Sequence, residues 1–142
     1  MTYEEMLCLL RGQRYGRLAV CVNGTAYVAP VCFSLRICED KPIFTLRLRT
    51  DCFLMERLQD GVQVTLQFDR QVNGGACTVQ VMGTVHVTGS TGCVAIVEVH
   101  ADSMMGECFR RQNCNCGNTC GGAYDNTCGN CTCNEGCGNT CG

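Results

Sequence analysis

A chain of 142 residues with 46% hydrophobic side chains has the size of one domain and enough apolar residues to bury a core. Its formal charge is -2 and all 11 of its Lys and Arg residues precede Cys114, so no polybasic surface for nucleic acid is indicated. Met1–Arg14 carries Glu4 and Glu5 where a secretory signal would be positive, and its apolar run, Met6–Leu10, is too short for a signal or a membrane span; synthesis in the cytoplasm, with no membrane partner, is the expectation.

In chain order, Thr2–Gln13 puts Met6, Leu9 and Leu10 at helical spacing behind the acidic pair, which suits the positive end of a helix dipole. Arg17–Val22, Asn23-Gly24 and Thr25–Leu35 read as strand, tight turn and strand. Pro42–Thr50 alternates Ile43, Thr45, Arg47 and Arg49 with Phe44, Leu46 and Leu48, so the two arginines of this strand project together. Asp51–Gln59 then takes helical spacing through Leu54, Met55 and Leu58, with Asp51 as a cap and Gly61 as the stop. Val62–Phe68 resumes strand, Asn73-Gly74-Gly75 turns, Thr78–Thr88 runs back, Gly89–Gly92 turns again, and Cys93–His100 makes a last strand. Six strands joined mostly by tight turns, with one or two short helices, predict a mainly β chain: a small antiparallel barrel over residues 1–110, followed by an irregular tail over 111–142.

The 16 cysteines are unusual for a chain made in a reducing compartment, where dense cysteine points to metal or catalysis rather than disulfides. Eight lie singly: Cys8, Cys21, Cys32, Cys38, Cys52, Cys77, Cys93 and Cys108. Free cysteine is among the most buried residue types, so most of these are read as small core hydrophobes. His86 and His100, alternating with valines, are read as structural or surface residues. No paired carboxylates at acid–base spacing, no nucleophile elbow and no phosphate loop occur, so the catalytic residues are unknown.

Several residues in this order resemble the flavin-binding split-barrel family, the pyridoxamine 5'-phosphate oxidase-like group with its nitroimidazole-reductase-like branch. They are Gly16-Arg17-Leu18-Ala19, Tyr27-Val28-Ala29-Pro30-Val31, Ile43-Phe44-Thr45-Leu46, Met55-Glu56-Arg57-Leu58 before a Val-rich strand, Gly83, and Val99–Gly106. The resemblance implies a six-stranded split barrel, a homodimer, and FMN or another flat cofactor such as a deazaflavin or haem in a groove between subunits. By position it places Val28, Ala29, Pro30 and Val31 along the isoalloxazine edge, and Arg47, Arg49 and Thr50 near the phosphate. Arginine suits a phosphate through bidentate, charge-assisted bonds. Where FMN-binding members have a Gly-Arg-Lys-Leu-like helix start this chain reads Cys52-Phe53-Leu54-Met55, so a leucine stands at the phosphate lysine. Arg47 and Arg49 either replace that charge or are ordinary solvent-facing residues. The family's terminal Gly-Lys is Gly106-Glu107 here, and the helix between its last two strands is reduced to Gly89–Gly92.

The tail holds Cys114, Cys116, Cys120, Cys128, Cys131, Cys133, Cys137 and Cys141, in which Cys114-Asn-Cys116-Gly-Asn-Thr-Cys120 and Cys131-Thr-Cys133-Asn-Glu-Gly-Cys137 repeat one unit. Gly, Asn and Thr dominate between them and bury no core. Zinc or iron–sulfur ligation fits the close C-x-C and C-x2-C pairs, although no basic residue lies beyond Arg111 to offset the thiolates. Disulfides, within or between chains, need no counter-charge, and free thiols are the third possibility. Metal storage or sensing by the tail alone is one functional expectation, and two more follow. One is a flavin-binding redox protein with a metal or redox appendage. The other is a non-enzymatic assembly protein whose barrels are cross-linked through tail disulfides, in a spore or extracellular structure.

Overall fold

The computed structural model describes residues 1–110, so the tail and its eight cysteines lie outside the described residues. The chain opens with helix α1, Tyr3–Arg11, capped by Thr2: its hydroxyl accepts from the Glu5 N–H at 3.2 Å, and the Glu5 carboxylate accepts from the Thr2 N–H at 2.7 Å. The Thr2 hydrogen bonds hold the Glu5 carboxyl below its ordinary range. Met6, Leu9 and Leu10 face the core as their spacing predicts, and Leu7 joins them.

Six antiparallel strands follow: β1 Tyr15–Val22, β2 Thr25–Cys38, β3 Lys41–Arg49, β4 Gln63–Val72, β5 Gly75–Thr91 and β6 Val94–Arg110. They close in the order β1-β2-β3-β6-β5-β4, with β1 paired to β4. Asn23 and Gly24 take the left-handed conformations (φ 51° and 78°) that the tight turn between β1 and β2 requires. Inward positions alternate along every strand: Leu18 and Val20, Phe44 and Leu46, Leu66 and Phe68, Val79 and Val81, Val97 and Val99 are all buried. Phe33, Phe44 and Phe68 form an aromatic centre with ring centroids 4.8 to 5.7 Å apart.

Three expectations are corrected. The helix over Asp51–Gln59 is a single 3-10 turn, Met55–Arg57, because Asp51 pairs with Arg49 behind it and Leu54 and Leu58 turn into the barrel. The last strand continues ten residues past His100. The single cysteines are mostly not core residues: Cys8, Cys21, Cys32, Cys38 and Cys93 are exposed and Cys52 half-buried. Cys77 is buried, and it forms a disulfide with Cys108. No helix among the described residues is long and apolar enough to cross a membrane.

Two glycines set how closely the wall can pack. A Cβ on Gly16 would stand 2.5 Å from the Phe68 ring, and one on Gly83 would stand 2.6 Å from the His100 carbonyl oxygen. The Phe68 ring can shift, but the strand backbone cannot. Gly83→Ala is therefore expected to destabilise the barrel by about 2–3 kcal/mol, read as a lower urea midpoint at unchanged slope, since overpacking a rigid site costs in that range.

Candidate functional site

Strand β2 changes partner part-way along its length. It pairs with β1 from Thr25 to Cys32 and with β3 from Cys32 to Cys38, so that Cys32 is opposite both Tyr15 and Arg47. Just past this point the Phe33 N–H donates to the Arg14 carbonyl at 3.2 Å. From Thr25 to Val31 the edge of β2 away from β1 has no strand paired to it among the described residues, which leaves backbone donors and acceptors along an open edge.

The segment after β3 meets this half of β2. Cys52 N–H donates to the Arg49 carbonyl and Met55 N–H to the Cys52 carbonyl, a tight path that drops Leu54 and Leu58 into the core. Phe53 stays outside at 52% exposure, its ring centroid 6.5 Å from that of Tyr27. The Arg57 guanidinium lies over the Tyr27 ring, 3.9 Å from its centroid, and donates to the Phe53 carbonyl. Tyr27, Phe53 and Arg57 form a cluster that sequence reasoning did not single out. Phe53 and Arg57 come from the segment between β3 and β4 and Tyr27 from β2, so the cluster forms only where that segment meets the first half of β2.

The residues expected at a cofactor divide by strand parity. Val28 and Pro30 face outward, Val28 at 54% exposure, whereas Ala29 and Val31 are buried and can offer a ligand only their main chain. Arg47 is exposed and makes no ion pair or side-chain hydrogen bond among the described residues. Arg49 is held by Asp51 through two bonds of 2.9 and 2.7 Å. That pair holds the Asp51 carboxyl below the ordinary carboxylate range and raises the Arg49 guanidinium further. Thr50 donates twice to the Cys93 carbonyl, from N–H at 2.9 Å and from its hydroxyl at 3.3 Å. Arg47 is thus the uncommitted cation of this strand end, and Arg49 and Thr50 are engaged in holding the chain.

Elsewhere, the His86 and His100 rings meet across β5 and β6 at a tilt of 47°, with centroids 4.2 Å apart. Glu98 bridges His100 (3.1 Å) to Arg36 (2.8 Å) on the barrel's outer face. No group of three or more His, Cys, Asp or Glu residues is arranged to hold a metal among the described residues, and the eight tail cysteines expected as ligands lie outside them.

The described residues superpose on solved structures at low sequence identity. An FAD binding protein from Mycobacterium smegmatis gives a TM-score of 0.65 at 17% identity, covering 78% of this chain and 98% of that one. An FAD-binding protein from Mesorhizobium loti gives 0.65 at 16%, covering 77% and 96%. The chain has the split-barrel fold of these proteins. A third split barrel, from Clostridium acetobutylicum, is related to general stress protein 26 and described as of the pyridoxinephosphate oxidase family; it gives 0.56 at 15%, covering 75% and 92%. No protein-family model and no curated protein matches the chain in sequence.

Within the split barrel, Leu54 shows what became of the expected phosphate lysine: the position is fully buried and serves the core. Leu54→Lys is expected to cost more than about 3 kcal/mol in a chemical denaturation series, because it places an unpaired ammonium in an apolar site.

Proposed function

We propose that the protein is a flavin-binding redox protein that works as a homodimer. The observation that carries this reading is the open edge of β2 beside exposed Val28 and the uncommitted Arg47. The residues present fit such a group. The free main chain of Val28–Val31 would meet the polar edge of a flat ring, and Val28 and Pro30 would lie against its apolar part. Arg47 would hold the phosphate by charge-assisted hydrogen bonds. Phe53, exposed beside Tyr27, would exclude water from one end of the groove. A bound flavin supplies hydride and electron transfer, and the protein's part is to place and shield it.

Fluorescence titration with FMN and with FAD tests the reading. Quenching by the wild-type chain, weakened about tenfold in Arg47→Ala as expected for loss of one charge-assisted contact, is the predicted result. Full flavin emission in the presence of excess protein, with both cofactors, would overturn it.

One observation favours a second reading, a disulfide-linked assembly protein: five free thiols stand exposed among the described residues, Cys8 on α1, Cys21, Cys32 and Cys38 on strands, and Cys93 in the turn before β6. The tail then acts as cross-linker, whereas in the flavin reading it is a redox or metal appendage holding zinc or iron–sulfur. Gel migration with and without reductant separates them. A ladder that collapses on reduction supports the assembly, and stoichiometric metal on a reductant-insensitive species supports the appendage.

A further inference from the structure

The one disulfide among the described residues joins Cys77, near the start of β5, to Cys108, near the end of β6. Its two halves sit in unlike surroundings. Cys77 is 8% exposed and belongs to the core cluster, whereas Cys108 is exposed, as are Glu107, Phe109 and Arg110 around it. The inward side chains of β6 run out before this point. Ala101 is its last buried residue, and Met104 and Gly106 are half-buried, Gly106 close against Met1 and Met6. Beyond Gly106 no side-chain hydrogen bond or ion pair holds the strand among the described residues, so the disulfide is the side-chain tie at this end.

We propose that Cys77–Cys108 is a reversible dithiol–disulfide exchange site, a clasp that a dithiol reductant opens at Cys108, the exposed residue of the pair, to free the end of β6. A thiolate of the reductant bonds to Cys108 Sγ while the Cys77–Cys108 bond breaks, and Cys77 leaves as a thiolate that takes a proton from water. The second thiol of the reductant then closes on the first and releases Cys108. Two electrons and two protons pass from the dithiol, which becomes a disulfide, to Cys77 and Cys108. Attack at Cys108 follows from access, because exchange needs an approach to one sulfur that burial denies at Cys77. A dithiol in solution and the cysteines that follow Arg110 in the same chain offer the same chemistry.

The full chain under native conditions, with dithiothreitol as the probe, decides the proposal. Differential alkylation should show Cys77 and Cys108 reduced while the far-ultraviolet circular dichroism is unchanged. Amide exchange over Met104–Arg110 should rise at least tenfold with β1–β4 unaffected. Trapping with glutathione should place the mixed disulfide on Cys108. A full chain carrying Cys77→Ser should show the raised exchange without reductant and no further response to it. Reduction only on global unfolding, an adduct on Cys77, or unchanged exchange at the end of β6 would each overturn the proposal. A full chain with all eight tail cysteines changed to serine names the source. An equal rate assigns opening to solution dithiol, and a rate at least tenfold slower assigns it to the chain's own thiols; both support the clasp.

Discussion

The constraint on which the rest of the barrel depends is the length of β2. At 14 residues it is longer than either neighbour, since β1 has 8 and β3 has 9. Neighbouring strands in a sheet also rotate by about 20–25° relative to one another, which carries a long strand away from a short partner. Strand β2 satisfies both conditions by giving its first half to β1 and its second to β3, with Cys32 shared. The division leaves a wedge beside the first half. Filling the inside of that wedge is a packing problem, which Leu54 and Leu58 solve, and what stays outside is an open strand edge with Phe53 and Arg57 close to it. The candidate site is therefore a by-product of how the barrel closes.

The same reasoning explains what the sequence resemblance is made of. Gly16, Gly83 and Gly106, three of the residues that carry it, are places where a Cβ would meet Phe68, the His100 carbonyl or Met6 within 3 Å. They are demanded by the fold whether or not a cofactor binds. At the position where the resemblance implies a phosphate lysine, this chain has Leu54, a core residue. Of the three glycines, only Gly83 meets backbone within 3 Å, the His100 carbonyl, while Gly16 and Gly106 meet side chains.

Much of this was legible in the chain. Period-two alternation placed the inward Phe44, Leu46 and Leu48 of β3, Asn23-Gly24 marked a hairpin, and Met6, Leu9 and Leu10 carried the apolar face of α1, whose Thr2 cap only the structure shows. Asp51–Gln59 was misread because its apolar spacing suits a helix, while the Arg49–Asp51 pair and two inward leucines, which are tertiary facts, hold it to one 3-10 turn. The cysteines failed for a different reason. A rule about residue type was applied where strand parity was the stronger signal: Cys21 follows inward Val20 and Cys32 follows inward Val31, so both face out, whereas Cys77 shares parity with Val79 and Val81 and faces in. The Tyr27, Phe53 and Arg57 cluster had no local signature, because β2 and the segment between β3 and β4 meet there only in the folded barrel.

Parity also limits what oxidation can do within the barrel. A disulfide needs two Cα atoms within about 7 Å and Cβ atoms turned toward each other. Cys77 and Cys108 meet that condition on neighbouring strands, with Cα atoms 4.0 Å apart. The six other cysteines of the described residues remain unpaired: Cys21 on β1, Cys32 and Cys38 on β2, Cys8 on α1, and Cys52 and Cys93 in connecting segments. Oxidising an exposed thiol such as Cys21 or Cys38 therefore calls for a sulfur from another chain, from the tail or from a small molecule. The barrel's thiols are thus directed outward while its one internal pair sits at the root of the cysteine-rich segment. The β2 edge and the end of β6 belong to different strands, so the proposed flavin site and the proposed thiol exchange do not depend on each other.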